Sequence, residues 1–120
     1  MGKTGNKSVI YWFLALGYMA FIFYLSSGPS HLPKIPYADK IGHTILYGIL
    51  GLLVFQAFRA SSSEKLARYA WIFTVLICLL YGISDEVHQF FVPHRRVELM
   101  DIACDGLGAL LAALFSTIKT

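Results

Sequence analysis

The chain has 120 residues, of which 57% are hydrophobic and only 14% charged, with a net charge of +3. A soluble domain carries about a quarter charged residues, so this composition excludes an ordinary soluble fold and points to a membrane. The small positive excess gives no reason to expect a nucleic-acid partner, because the basic residues are scattered among apolar blocks rather than gathered in a patch.

The first apolar block, Val9 to Leu25, holds no charge and has no polar face. It is too apolar for a surface helix of a soluble bundle and is long enough to cross a membrane, which takes about 20 residues. A cleaved leader is the competing reading. The block exceeds the roughly 7–15 apolar residues of a leader, and Ser26-Ser27-Gly28 is only an approach to a small-x-small cleavage site. A first span over about 8–27 is therefore expected. The segment 27–38 that follows holds three of the four prolines and cannot be helical throughout.

The second block, Ile41 to Phe58, is apolar apart from His43, Thr44 and Gln56, and predicts a span over about 39–59. Asp39, His43 and Tyr47 are spaced i, i+4, i+8, which stacks them on one helical face, and Lys40 stands beside Asp39 at the membrane interface. A short hydrophilic turn, 59–65, leads into Tyr69 to Ile83, again uncharged, and predicts a third span over about 66–90. Its far end carries Asp85 and Gln89 at i, i+4, with Tyr81 one turn below and Glu86 and His88 at their flanks. A connection around Pro93 brings His94, Arg95 and Arg96. The last block, Ile102 to Ile118, predicts a span over about 101–119, with Asp101 and Asp105 at i, i+4 near its start.

The expected architecture is all-α: one domain over 1–120, a polytopic, antiparallel bundle of four transmembrane helices joined by short connections. Cys78 and Cys104 fall at different depths, so no disulfide is expected. With an even number of spans, Lys3, Lys7, Arg59, Lys65, Arg68 and Lys119 share one side with a single acid, Glu64. The positive-inside rule makes that side cytoplasmic, with both termini on it. Asp39, Asp85, Glu86, Glu98, Asp101 and Asp105 then gather at the opposite face with Lys34, Lys40, Arg95 and Arg96.

Ionisable groups beside hydrocarbon are costly, so the three polar stripes are expected to turn from lipid toward one another. His43 is expected within hydrogen-bonding or one-water reach of Asp85, Asp101 or Asp105. Bland roles compete with a site: Asp39 and Asp101 also suit helix N-caps, and His43 and Tyr47 also suit a polar helix interface. Asp105 is hardest to explain blandly, since it lies a full turn inside its helix and needs a partner or a proton. No signature of a soluble enzyme is present, and the spacing of Asp39, His43, Asp85, His88, Asp101 and Asp105 matches no defined metal motif. The oxygen and imidazole ligands of these six residues would suit a divalent cation, but no metal site and no cofactor is assigned from sequence.

Asp39-Lys40-x-x-His43-x-x-x-Tyr47, Asp85-Glu86-x-x-Gln89-x-Phe91-x-Pro93-x-Arg95 and Asp101-x-x-x-Asp105-x-x-Gly108, preceded by Ser26-Ser27-x-Pro29, together resemble the VanZ-like membrane protein family over about residues 11–115. One departure stands at Asp105, where that family usually has Asn; a carboxylate only accepts hydrogen bonds unless protonated, whereas an amide also donates. The resemblance implies a small bacterial multi-pass protein of the cytoplasmic membrane and cell envelope, associated by name with resistance to glycopeptide antibiotics, chiefly teicoplanin.

Three functions stay open. The first is a binder whose outward pocket takes a membrane lipid, a lipid-linked cell-wall precursor or a glycopeptide antibiotic, with Asp39, Lys40, Tyr47, Glu86, His88, Gln89, Arg95, Asp101 and Asp105 as binding residues. The second is an enzyme on a phosphate-containing lipid or wall precursor, by acid/base or metal-assisted chemistry. His43 or Asp85 would move the proton, and Lys40 and Arg95 would clamp the phosphate. The third is a scaffold whose polar groups satisfy one another. Arg95 is expected to fold inward to a carboxylate and Arg96 to stay among the head groups.

Overall fold

The computed structural model describes residues 2–27, 38–91 and 99–119. Those residues form five helices and no strand: α1 (Gly2–Ser27), α2 (Ala38–Arg59), α3 (Glu64–Arg68), α4 (Ala70–Phe90) and α5 (Leu99–Lys119). Four of them, α1, α2, α4 and α5, are long and apolar enough to cross a membrane. The chain is a multi-pass helical bundle, as its apolar blocks require.

The segment expected as one helix over 66–90 is divided. Ser63 caps α3, its Oγ accepting from the Leu66 amide at 3.4 Å. Tyr69 then leaves helical geometry (φ −105°, ψ 30°) before α4 begins. The short α3 lies at the polar boundary and buries no side chain, so the span itself is α4 alone.

α2 is the centre of the bundle, packing most extensively on α5, then on α1 and α4. The α2–α5 crossing is close because small residues meet there. A β-carbon on Gly108 would stand 2.2 Å from the Thr44 carbonyl oxygen, and one on Gly51 3.0 Å from the Ala109 Cα. Small residues at such a seam let backbones approach, which is how helices associate where lipid removes the hydrophobic drive between them. Two hydrogen bonds tie α1 to α2: Ser8 Oγ to the Ala57 carbonyl at 2.9 Å and Tyr18 Oη to the Leu46 carbonyl at 3.0 Å. Their order along the two helices makes α1 and α2 antiparallel. Tyr81 of α4 donates to the Met19 carbonyl of α1.

The two ends of the bundle differ in chemistry. Around Trp12, Phe58 and Phe73 the core is aromatic, with Trp12 edge-on to Phe58 at 5.1 Å and Phe58 at 5.5 Å from Phe73. At the other end the buried residues are Asp85, Glu86, Gln89, Asp101 and Asp105. Apolar side chains such as Phe13, Leu80, Leu111 and Phe115 point outward and are exposed, the arrangement expected of a helix surface solvated by lipid.

Candidate functional site

The polar end draws on three helices. α2 supplies Lys40, His43 and Tyr47; α4 supplies Asp85, Glu86 and Gln89; α5 supplies Asp101 and Asp105. The buried positions of α4 explain its contribution. Gly82, Asp85, Glu86 and Gln89 are all buried and follow the i, i+3, i+4, i+7 spacing of a single helix face.

His43 is the hub. Its Nδ1 lies 2.7 Å from Asp105 Oδ1 and its Nε2 lies 3.8 Å from Asp101 Oδ2. The convergence expected of the stripes on α2 and α5 is therefore present. Asp101 serves two neighbours, because its Oδ1 stands 3.8 Å from Lys40 Nζ. Glu86 approaches from α4: one ligand atom from each of His43, Glu86 and Asp101 fits within 4.8 Å of the others. One turn deeper, Tyr47 Oη donates to Asp85 Oδ2 at 3.4 Å. The Tyr47 ring lies 6.3 Å from the His43 ring, nearly parallel to it, and 6.2 Å from that of Tyr81.

Asp105 is fully buried, and its Oδ2 has no hydrogen-bond partner among the described residues. That oxygen faces Gly82, where a β-carbon would lie only 2.6 Å away. Glycine at 82 thus makes the room that lets α5 carry a carboxylate there. The sequence held a usable signal for this, since Gly82 precedes Asp85 by three residues on the same face.

The His88 ring stacks on Phe23 of α1, 4.2 Å between centroids. Gln89 is buried beside the other α4 residues. Asp39 is the second residue of α2, but its side chain lies outside the described residues, as do Arg95 and Arg96 and the whole connection 92–98. The expected difference between the two arginines falls there with them.

Beside the cluster runs a groove of about 270 Å³ between α2 and α5, lined by Lys40, Ile41, Thr44, Ile45 and Cys104. Its walls are almost wholly apolar, and it opens on the outer face of the bundle. Lys40 belongs to both features: its ammonium stands 3.8 Å from Asp101, and the residue also lines the groove. Sequence reasoning missed this groove, because Ile41 and Ile45 look like ordinary lipid-facing positions. Both cysteines are free thiols.

The arrangement can accept hydrogen bonds from hydroxyl or amine groups through its carboxylates. It can place one cation, Lys40, against a phosphate, and it can move a proton at His43 Nε2, whose other nitrogen is held by Asp105. His43, Glu86 and Asp101 together have the donor types of a divalent-metal site.

A family model described as VanZ/LLP1 matches residues 9–120. An uncharacterized protein of the fission yeast Schizosaccharomyces pombe is 32% identical over 96 residues, covering 79% of this chain and 55% of its own length. The chain thus spans about half the length of that curated relative. No solved structure matches the chain.

Proposed function

The chain belongs to the VanZ/LLP1 family, and from that premise we propose that it binds the head group of a lipid or lipid-linked molecule at one face of the membrane. The observation that carries this reading is the junction at Lys40. Lys40 is one of the residues lining a largely apolar groove, and its ammonium stands 3.8 Å from Asp101 of the buried polar cluster. An acyl or prenyl chain matches the first feature, and a polar head group matches the second. Lys40 supplies charge to a phosphate, and Asp101 and Glu86 accept from hydroxyl or amine groups.

The charge distribution supports an outward position for this face, with the termini in the cytoplasm. A relative in fission yeast favours a ligand that bacterial and yeast membranes share, so membrane lipid stands ahead of a wall precursor. Recognition of a lipid-linked wall precursor is the variant of this reading that would connect the chain to glycopeptide resistance.

Native mass spectrometry on protein released from lipid nanodiscs of mixed composition tests the proposal. Retained lipids enriched in one head-group class over the bulk mixture, with the enrichment lost in Lys40→Ala, is the expected result. Retention in proportion to bulk composition, unchanged by that variant, refutes it.

The 2.7 Å contact of His43 with Asp105 favours one further reading, an enzyme on the same ligand with His43 as the proton-transfer group and Asp85 in support through Tyr47. Proteoliposomes carrying labelled lipid distinguish the two. Turnover abolished by His43→Gln with head-group binding retained supports catalysis, and absence of turnover leaves binding alone.

A further inference from the structure

We propose that His43, Glu86 and Asp101 bind a single divalent transition-metal ion, of the Zn²⁺ or Mn²⁺ type, with Asp105 orienting the histidine from behind. This rests on the head-group reading only for what the ion does, which is to present a positive centre to a phosphate or hydroxyl of the ligand. Ion binding itself stands on separate observations.

The ligand atoms come from three different helices, one each from α2, α4 and α5, and already lie within 4.8 Å of one another. Nitrogen and oxygen ligands about 2.0–2.2 Å from an ion stand roughly 3–3.5 Å apart. Nε2 and Asp101 Oδ2 are 3.8 Å apart, close to that separation. Glu86 and Asp101 are buried, unlike the exposed carboxylates that gather on surfaces without an ion.

The second observation lies outside the three ligands. Asp105 accepts from His43 Nδ1 at 2.7 Å, which fixes the ring and leaves Nε2 on the side of Asp101, 3.8 Å away. Metal-bound histidines usually have such a carboxylate behind them, where it sets the tautomer and raises the basicity of the ligating nitrogen. Asp105 is fully buried and its Oδ2 takes no hydrogen bond from the described residues, so the carboxylate has little to do there except act through His43. One imidazole among the ligands selects a transition ion over Mg²⁺ or Ca²⁺, which prefer oxygen alone.

The test uses the full chain in detergent, stripped with chelator and dialysed against Zn²⁺ or Mn²⁺, with bound metal measured by inductively coupled plasma mass spectrometry. One ion per chain and a raised Tm on metal addition are expected. Glu86→Gln and Asp101→Asn keep the side-chain shapes and should each weaken the ion at least tenfold. Asp105→Asn should weaken it by about 10–100-fold, the range for partners behind a ligating histidine. Glu64→Gln, on the exposed α3, should change nothing. No bound ion in folded wild-type protein overturns the site, as does binding unaltered by both Glu86→Gln and Asp101→Asn. Lys40→Ala separates the two proposals, because it should abolish head-group selection and keep the ion. Stoichiometric ion without lipid selection sinks the head-group reading alone, and lipid selection without ion sinks this one alone.

Discussion

At Asp105 a carboxylate is held with no exposure, one oxygen on His43 and the other against the Gly82 backbone. Removing one partner of a buried charged pair leaves the other uncompensated, at a cost of roughly 3–5 kcal/mol. His43→Ala is therefore expected to lower stability by about that amount in a denaturant titration in detergent. Asp105→Asn is expected to cost far less. Its amide oxygen still accepts from Nδ1, and the charge that Oδ2 left without a hydrogen bond is gone. Equal losses in the two variants would show that the contact with His43 contributes nothing particular. Much of this geometry was legible in sequence. The i, i+4 spacings of His43 and Tyr47 and of Asp101 and Asp105 predicted which faces would meet. Period alone could not sort Glu86 from His88. Both flank Asp85, yet Glu86 falls on the buried face and His88 turns to Phe23. In a membrane helix the lipid side is as apolar as the core, so hydrophobic contrast does not mark the inner face.

Among the elements, four spans followed from apolar length, while the break at Tyr69 did not. Neither Pro nor Gly stands there, and Ser63 is the only conventional signal, a cap that starts α3 ahead of the expected helix. The α2–α5 seam makes its own prediction. Gly108→Ala would drive a methyl to 2.2 Å from the Thr44 carbonyl oxygen, a backbone atom that cannot swing aside. Overpacking of this kind costs typically 1–3 kcal/mol, and backbone contacts belong at or above the top of that range. Gly17→Ala on α1 meets nothing within 4 Å and should be neutral or gain up to about 1 kcal/mol from helix propensity. Melting both variants side by side in one detergent checks the pair, and similar behaviour would contradict the close α2–α5 approach. Because Thr44 also lines the groove, Gly108→Ala is expected to disturb lipid retention as well.

For the molecule as a whole, orientation is the property on which the proposed function depends. Six basic residues and one acid sit on the side of the termini, and six of the seven acids on the other. Single cysteines introduced into a Cys78→Ala, Cys104→Ala background provide the check. A cysteine at Ser62 should resist an impermeant thiol reagent in intact cells, and one at His31 should react. The reverse pattern would move the polar end to the cytoplasm and transfer the proposed head-group site to the inner leaflet.

The groove beside Lys40 lies between α2 and α5 and is lined by the exposed Ile41 and Ile45. On the proposed function, its ligand arrives by lateral diffusion within a leaflet rather than from water. Its occupancy is then governed by mole fraction in the bilayer. Adding inert lipid to proteoliposomes at fixed protein and ligand should empty the site in proportion, whereas a tenfold increase in buffer volume should leave occupancy untouched. A ligand delivered from solution would show the opposite dependence.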